Sequence, residues 1–197
     1  PRMTPAVKFL LIAYLVIFVL QQSTLKFGGF ALDNSLSFVP SQFMSGRFWQ
    51  FFTYSFLHGS FMHLLFNAIP LYMFGTELEA RWGMRKFLKY YALCATGGAL
   101  LQTLVWGASI FVAPSWADYL GNTPIVGASG ALYGLLMAFR VLYGESLILL
   151  MFIIPMKIKN AVALYFFFEL FSFVFNTSPG QGGGTAHLVH LGGLISG

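Results

Sequence analysis

A small set of uncharged polar residues lies inside otherwise apolar stretches, where each is costly unless it faces a cavity or a partner. Ser129 stands in a Gly-Ala-Ser-Gly stretch, His190 in a later apolar segment, and His63 and Asn67 in an earlier one. The four-residue spacing of His63 and Asn67 places them on one helix face. A serine hydroxyl is a weak nucleophile until a base takes its proton, and histidine is the usual base. These residue types predict nucleophilic catalysis, with His63, Asn67 and the Ser129 backbone N–H as donors to an oxyanion.

Two further polar residues leave part of this assignment open. His187 precedes His190 by three residues and shares its helix face, but only His190 is followed at the right spacing by Gly193 and Gly197. We expect His190 to be the base, because those glycines let a neighbouring helix approach its face. Glu169 lies between aromatic residues. It either orients His190 or has a structural role as a protonated or hydrogen-bonded acid.

Small residues also surround the serine. Gly127 precedes it, and Gly130 and Gly134 form a small-xxx-small seam beside it. Such seams let helices pack closely enough for a hydrogen bond between Ser129 and His190. Each feature alone is also typical of ordinary packing, in which a membrane serine bonds to its own helix backbone. The combination of the serine with histidines and an asparagine in two other helices favours catalysis.

The composition indicates where these helices lie. The chain has 197 residues, of which 57% are hydrophobic and 9% charged, whereas about a quarter of the residues in a soluble domain are charged. This excludes a soluble globular domain and a disordered chain, and the single cysteine, Cys94, excludes a disulfide scaffold. We expect Cys94 to act as a small core hydrophobe. The fold class predicted is an all-α polytopic membrane protein.

The apolar runs predict six transmembrane helices in one domain over residues 1–197. The predicted spans are 5–22, 61–78, 87–106, 124–142, 160–175 and 185–197, and residues 23–60 form a long outer loop. A span needs roughly 20 apolar residues, and the last run has only thirteen. We therefore expect the sequence to be a trimmed piece of a longer chain. No small-residue cleavage site follows the first span, so we expect it to be retained.

The positions of the basic residues predict the orientation. Nine of the eleven lie at the N-terminus, after the second span, and at or after the end of the fourth: Arg2, Lys8, Arg81, Arg85, Lys86, Lys89, Arg140, Lys157 and Lys159. The other two, Lys26 and Arg47, lie in 23–60. The connections 107–123 and 176–184 have none. The positive-inside bias then makes the N-terminus cytoplasmic and those two connections external. The net charge of +5 therefore indicates topology, and no nucleic-acid partner is expected.

This orientation places the polar residues at one depth. Spans two, four and six all enter the membrane from the outer side. Ser129, His190, His63 and Asn67 each follow the start of their span by two to six residues, which is within roughly 10 Å of the outer surface at about 1.5 Å per residue. The four side chains can meet in a single layer.

Together these motifs resemble the rhomboid family of intramembrane serine proteases. The similarity covers residues 47–197 and includes Tyr133 and the Gly75-xxx-Glu79 motif. It implies a six-helix bundle with a Ser129–His190 dyad and no essential acid, His63 and Asn67 in the oxyanion hole, and Tyr133 packed against the histidine. Span five and residues 176–184 resemble the family's gate and cap. One departure is Trp49-Gln50, where many members have Trp-Arg in the outer loop.

The function predicted is an intramembrane serine endopeptidase that cleaves transmembrane segments of membrane proteins, without cofactor or metal. Two alternatives are a non-catalytic rhomboid-like protein that binds membrane clients and a small transporter. Relatives of the first kind usually lack one dyad residue, whereas Ser129 and His190 are both present. A transporter would more often show a repeat. The expected location is a bacterial inner membrane, with an organellar membrane as the alternative; the oligomeric state stays open.

Overall fold

A computed structural model describes residues 2–27, 32–150, 153–176 and 184–197. These residues are mostly helical, as predicted. The elements are α1 (Pro5–Phe27), α2 (Leu32–Leu36), α3 (Pro40–Phe43), α4 (Gln50–Thr53), a 3-10 turn (Tyr54–Phe56), α5 (Phe61–Pro70), a π-helical segment (Leu71–Gly75), α6 (Thr76–Trp82), α7 (Met84–Val112), α8 (Pro114–Asn122), α9 (Ser129–Tyr143), β1 (Leu147–Leu150), β2 (Ile154–Lys157), α10 (Ile158–Asn176) and α11 (Gly184–Ser196).

Two helices of the described chain are long and apolar enough to cross a membrane, over Pro5–Thr24 and Met84–Val112. The second predicted span corresponds to α5, the π-helical segment and α6 in succession. The change to π-helix follows Pro70, which removes a backbone donor inside the helix. The helices over the fourth and sixth predicted spans are shorter. A total of six spans therefore stays a prediction.

One difference from the predicted spans is the start of α9. The sequence predicts a helix from residue 124, whereas the structure begins it at Ser129. Residues 124–128 are not helical because they pair with the outer segment: Ile125 exchanges backbone hydrogen bonds of 2.9 and 3.0 Å with Phe38, and the Gly127 N–H donates to the Tyr54 carbonyl at 2.9 Å. Gly127 has a φ of +123°, a backbone conformation that suits glycine.

The predicted long outer loop, 23–60, contains several short helical elements. Outside the undescribed residues 28–31, its residues extend α1 to Phe27 and form α2, α3, α4 and the 3-10 turn. Gln50 anchors this outer segment from a buried position. Its amide Nε2 donates to Gln42 Oε1 at 3.0 Å, and its Oε1 accepts from the Val39 N–H at 3.3 Å. A neutral amide thus connects this segment internally.

Other connections also carry structure that the sequence reading missed. Most of 107–123 is helical, because α7 runs on to Val112 and α8 starts at Pro114. β1 and β2 pair as an antiparallel hairpin between α9 and α10. Beside it, hydrogen bonds from Lys159 and Lys157 lower the pKa of the exposed Glu145 to about 2. The predicted cap, 176–184, lies almost wholly outside the described residues.

A buried carboxylate, Glu79 of the Gly75-xxx-Glu79 motif, ties α6 to the first helix. Glu79 is buried, and its two oxygens accept from the backbone N–H groups of Ala6 and Val7 at 2.8 and 2.9 Å. These N–H groups belong to the first turn of α1, which has no intrahelical acceptors for them. The negative charge also complements the positive end of the helix dipole. Glu79 therefore caps α1 from a distance in sequence.

We expect Glu79→Gln to destabilise the bundle by about 1–3 kcal/mol, because the glutamine amide turns an N–H toward a backbone donor and leaves it unpaired. The measurement is the apparent melting temperature of the purified protein in detergent. Glu77→Gln, an exposed acid on the same helix, is the matched control and should melt like the wild type. Equal melting temperatures for the two variants would contradict the capping role of Glu79.

Candidate active site

Ser129 is the first residue of α9. The first hydrogen bond along this helix runs from the Leu132 N–H to the Ala128 carbonyl at 3.0 Å, and Ala128 supplies no side-chain cap. The N–H groups of Ser129 and the two residues after it therefore have no intrahelical acceptor. They stand at the positive end of the helix dipole, next to the serine hydroxyl. This is a favourable position for a developing negative charge.

His190 of α11 lies directly against this hydroxyl. Its Nε2 is 2.7 Å from Ser129 Oγ. The imidazole also stacks face to face on the ring of Tyr133, with centroids 4.5 Å apart and planes 14° apart. Tyr133 is four residues after Ser129 on α9, so one helix supplies both the hydroxyl and the surface that holds the histidine ring. The structure therefore brings these three predicted site residues together.

The contact depends on glycines along the seam between α9 and α11. A side chain at Gly193 would overlap the carbonyl of Gly130, and one at Gly197 would lie 2.7 Å from the Gly134 backbone. α11 also packs on α7, where a Cβ on Gly192 would lie 2.8 Å from the Gly97 carbonyl oxygen. The first seam was predicted from the sequence, and the second was not. The adjacent pairs Gly97-Gly98 and Gly192-Gly193 were the signal available for it.

His63 borders the same space as Ser129. A Cβ on Gly127 would lie 2.7 Å from His63 Nε2 and 3.7 Å from Ser129 Oγ, so both atoms line the volume that this glycine leaves free. The Gly59 N–H reaches His63 Nδ1 at 3.4 Å. When Nδ1 of a neutral imidazole accepts a hydrogen bond, Nε2 carries the proton. That tautomer presents a donor toward the serine.

Asn67 is buried one turn further along α5. Its side-chain amide donates to the His63 backbone carbonyl at 2.9 Å, which uses one of its two N–H groups. The residue is thus held on the face that carries His63, as its spacing predicts.

A residue that the sequence analysis missed is His58, in the connection before α5. It is buried, its ring packs 5.1 Å from Tyr14 and 5.2 Å from His63 between centroids, and neither ring nitrogen has a hydrogen-bond partner. Burial lowers the pKa of His58 to about 4. It is therefore neutral at pH 7 and packs against His63 without adding a charge. Its position five residues before His63 was the signal that could have found it.

Glu169 of α10 connects the two histidines of α11. One oxygen, Oε1, lies 3.0 Å from His190 Nδ1 and accepts a hydrogen bond from the Tyr133 hydroxyl. The other, Oε2, is 2.5 Å from His187 Nδ1. The approach to His190 is close enough for an ion pair but is not aligned as a hydrogen bond. This geometry is compatible with the role in which Glu169 orients His190, because the two side chains are in direct contact.

One group of side chains among the described residues could hold a metal ion: Glu169, His187 and His190. One ligand atom of each lies within 4.8 Å of the others. Two of those contacts are already the short pairings of the carboxylate with the two imidazoles. Mutual pairing therefore accounts for the cluster without an ion.

Comparison with known proteins identifies the family. Residues 45–197 match the family model of the Rhomboid domain. The chain is 30% identical over 173 residues to Rhomboid-like protein 15 of Arabidopsis thaliana, covering 86% of this chain and 40% of that protein. It is 32% identical over 145 residues to Rhomboid protein 1, mitochondrial, of Saccharomyces cerevisiae, covering 73% and 38%.

A bacterial relative is Rhomboid protease AarA of Providencia stuartii, which is 31% identical over 96 residues, covering 48% of this chain and 34% of that protein. The chain spans less than half the length of each of these three relatives. The family model nevertheless matches well over half of the chain. This protein belongs to the rhomboid family and is an integral membrane protein.

Proposed function

We propose that the chain is an intramembrane serine endopeptidase that cleaves transmembrane segments of membrane-protein substrates. The observation that carries the proposal is the 2.7 Å approach of Ser129 Oγ to His190 Nε2. Hydrogen-bond contact between a hydroxyl and a base, with the base ring fixed by stacking on Tyr133, is the arrangement that activates a serine. We further propose that α1, the α5–α6 helix, α7, α9, α10 and α11 are six membrane spans.

In the proposed reaction, His190 Nε2 accepts the Ser129 proton as Oγ attacks the scissile carbonyl carbon. The carbonyl oxygen becomes an oxyanion, stabilised by the N–H groups at the start of α9, by His63 Nε2–H and by the Asn67 amide. The imidazolium then gives its proton to the leaving amine, and an acyl-serine ester remains. Water, deprotonated by His190, hydrolyses this ester and regenerates Ser129.

The site imposes requirements on the substrate and on the orientation of the chain. A carbonyl inside an intact helix already accepts a hydrogen bond, so the substrate must unwind locally before Ser129 can attack. Segments with glycine, proline or small residues unwind most readily. Water must reach Ser129 from the nearer membrane face, which we propose is the outer face of a bacterial inner membrane. An organellar membrane is the alternative, since one relative is named as mitochondrial.

A non-catalytic rhomboid-like protein that binds membrane clients is the second candidate. It needs the same client-facing helices but no aligned hydroxyl and base. The contact of Ser129 with His190 favours the protease over it. A small transporter is disfavoured as well, because transport does not require a hydroxyl in hydrogen-bond contact with a base, as Ser129 and His190 are.

We expect Ser129→Ala and His190→Ala each to abolish cleavage of a single-span substrate by the purified protein in detergent, because each removes one half of the proton-transfer pair. The measurement is the appearance of the cleaved fragment. Ser109→Ala is the matched control; this serine on α7 is buried and its hydroxyl donates to the Trp106 carbonyl of the same helix, so its variant should cleave at the wild-type rate. Cleavage that survives Ser129→Ala would refute the mechanism. If His187→Ala abolished cleavage while His190→Ala still cleaved the substrate, the general base would be His187 and not His190.

We expect His63→Ala to lower kcat by about 100-fold, because it removes one donor to the oxyanion, with KM changed much less. Single-substrate kinetics measure both constants. Gly59→Ala is the control, because the Gly59 N–H contacts the His63 ring. The new Cβ would lie 4.0 Å from His63 Nδ1, an ordinary contact distance. This variant should therefore keep the His63 Nε2–H donor and the wild-type kcat. A His63→Ala variant with unchanged kcat would exclude this residue from the oxyanion site.

The proposed orientation predicts which side of the membrane reacts with an impermeant maleimide. In a Cys94→Ala background, Ser115→Cys in α8 should be labelled on intact bacterial cells, whereas Glu145→Cys should be labelled only after the membrane is opened. Both positions are exposed, so a difference in labelling reports sidedness. The reverse pattern would invert the proposed topology.

A further inference from the structure

We propose that Glu169 is a positioning residue for His190, so that the site works as a serine, a histidine and a carboxylate rather than as a dyad alone. This inference rests on the proposed function. It assigns to Glu169 the orientation of the base and the stabilisation of its charged form. Glu169 acts through His190 and does not contact the substrate in this role.

The two nitrogens of His190 have different neighbours. Nε2 lies 2.7 Å from the Ser129 hydroxyl and Nδ1 lies 3.0 Å from Glu169 Oε1. Nε2 can accept the serine proton only if the resting proton is on Nδ1. A carboxylate oxygen is purely an acceptor when ionised, so its proximity favours the Nδ1–H tautomer. The neighbour of Nδ1 thus selects the form of the imidazole that is competent as a base.

The same carboxylate stabilises the charge that the reaction creates. Proton transfer from Ser129 makes His190 an imidazolium, whose positive charge then lies beside Glu169. Both side chains are largely shielded from solvent, with 16% and 4% of their side-chain surfaces exposed. Attraction between opposite charges is much stronger there than in water. This attraction depends on distance, so it acts although the resting contact is not aligned as a hydrogen bond.

Two other side chains hold the carboxylate in place. The Tyr133 hydroxyl donates to Oε1, and His187 Nδ1 pairs with Oε2. Tyr133 also stacks on His190, so a single ring fixes both the base and the group that orients it. This arrangement gives His187 a place in the site: it is a partner of Glu169 and does not contact Ser129 among the described contacts.

A purely structural role is the competing explanation. Glu169 joins α10 to α9 and α11 through these same contacts, and a structural tie would be lost in any variant that loosens them. A glutamine retains the size and one oxygen acceptor but removes the charge. An aspartate retains the charge on a shorter side chain. The two explanations therefore predict different orders for the two variants.

The experiment compares wild type, Glu169→Gln and Glu169→Asp of the full chain in detergent, with Glu145→Gln as an exposed-acid control. The readouts are kcat, KM, the rate at which a fluorophosphonate probe labels the protein, the melting temperature and the side-chain ¹⁵N spectrum of His190. We expect Glu169→Gln to lower kcat and the labelling rate together by about 100-fold, the lower end of what general-base catalysis contributes, with KM and melting temperature near the wild-type values. Its His190 spectrum should shift away from the Nδ1–H tautomer. Glu169→Asp should recover part of the rate.

Wild-type kcat and labelling in Glu169→Gln, or an unchanged His190 ¹⁵N pattern, would overturn the inference. So would a Glu169→Asp variant as slow as Glu169→Gln, or a loss of rate that only follows a fall in melting temperature. If the wild-type chain neither cleaves nor is labelled, the proposed function fails instead. The His190 spectra of wild type and Glu169→Gln then still decide whether Glu169 positions the ring.

Discussion

The close approach of α9 and α11 is the constraint on which the rest of the site depends. A hydrogen bond between Ser129 and His190 requires two helix backbones to come nearer than most side chains allow, and Gly193 packs directly on the Gly130 carbonyl. Within lipid, helix association is driven by van der Waals packing and polar contacts rather than by escape from water. The glycine seams therefore stabilise the bundle and set the geometry of the proposed catalytic pair at the same time.

Polar groups inside this bundle occur in sets that bind one another. Glu79 accepts from the start of α1, and Glu169 is bound by groups from α9 and α11. Because an unpaired polar group in an apolar environment is costly, each set fixes the helices that contribute to it. Two histidines near the site depart from this rule: neither ring nitrogen of His58 has a hydrogen-bond partner, and His190 Nδ1 is close to Glu169 without an aligned hydrogen bond. Burial lowers the pKa of His58 to about 4. The polar residues thus define both the assembly of the helices and the place where chemistry is possible.

Much of the candidate site could be predicted from the sequence, because the spacing of residues along one helix is a local property. The i, i+4 relation of His63 and Asn67, and the glycines after His190, required only helical geometry. The family resemblance added the stacking of Tyr133 on the base. Depth in the membrane was enough to expect Ser129 and His190 in one layer. These inferences depended on residue order alone and not on how distant segments pair.

Helix boundaries and side-chain contacts were not predicted where a distant segment determines the local structure. Residues 124–128 look like the start of an apolar helix, yet pairing of Ile125 with Phe38 keeps them extended and moves the helix start to Ser129. The contact of Glu169 with His190 likewise depends on how α10 packs, which no local pattern specifies.

The central claim is that Ser129, activated at this helix start, is the nucleophile. Mass spectrometry of the wild-type chain after reaction with a fluorophosphonate tests it most directly: the account predicts a single adduct on Ser129, and an adduct on another residue would contradict it.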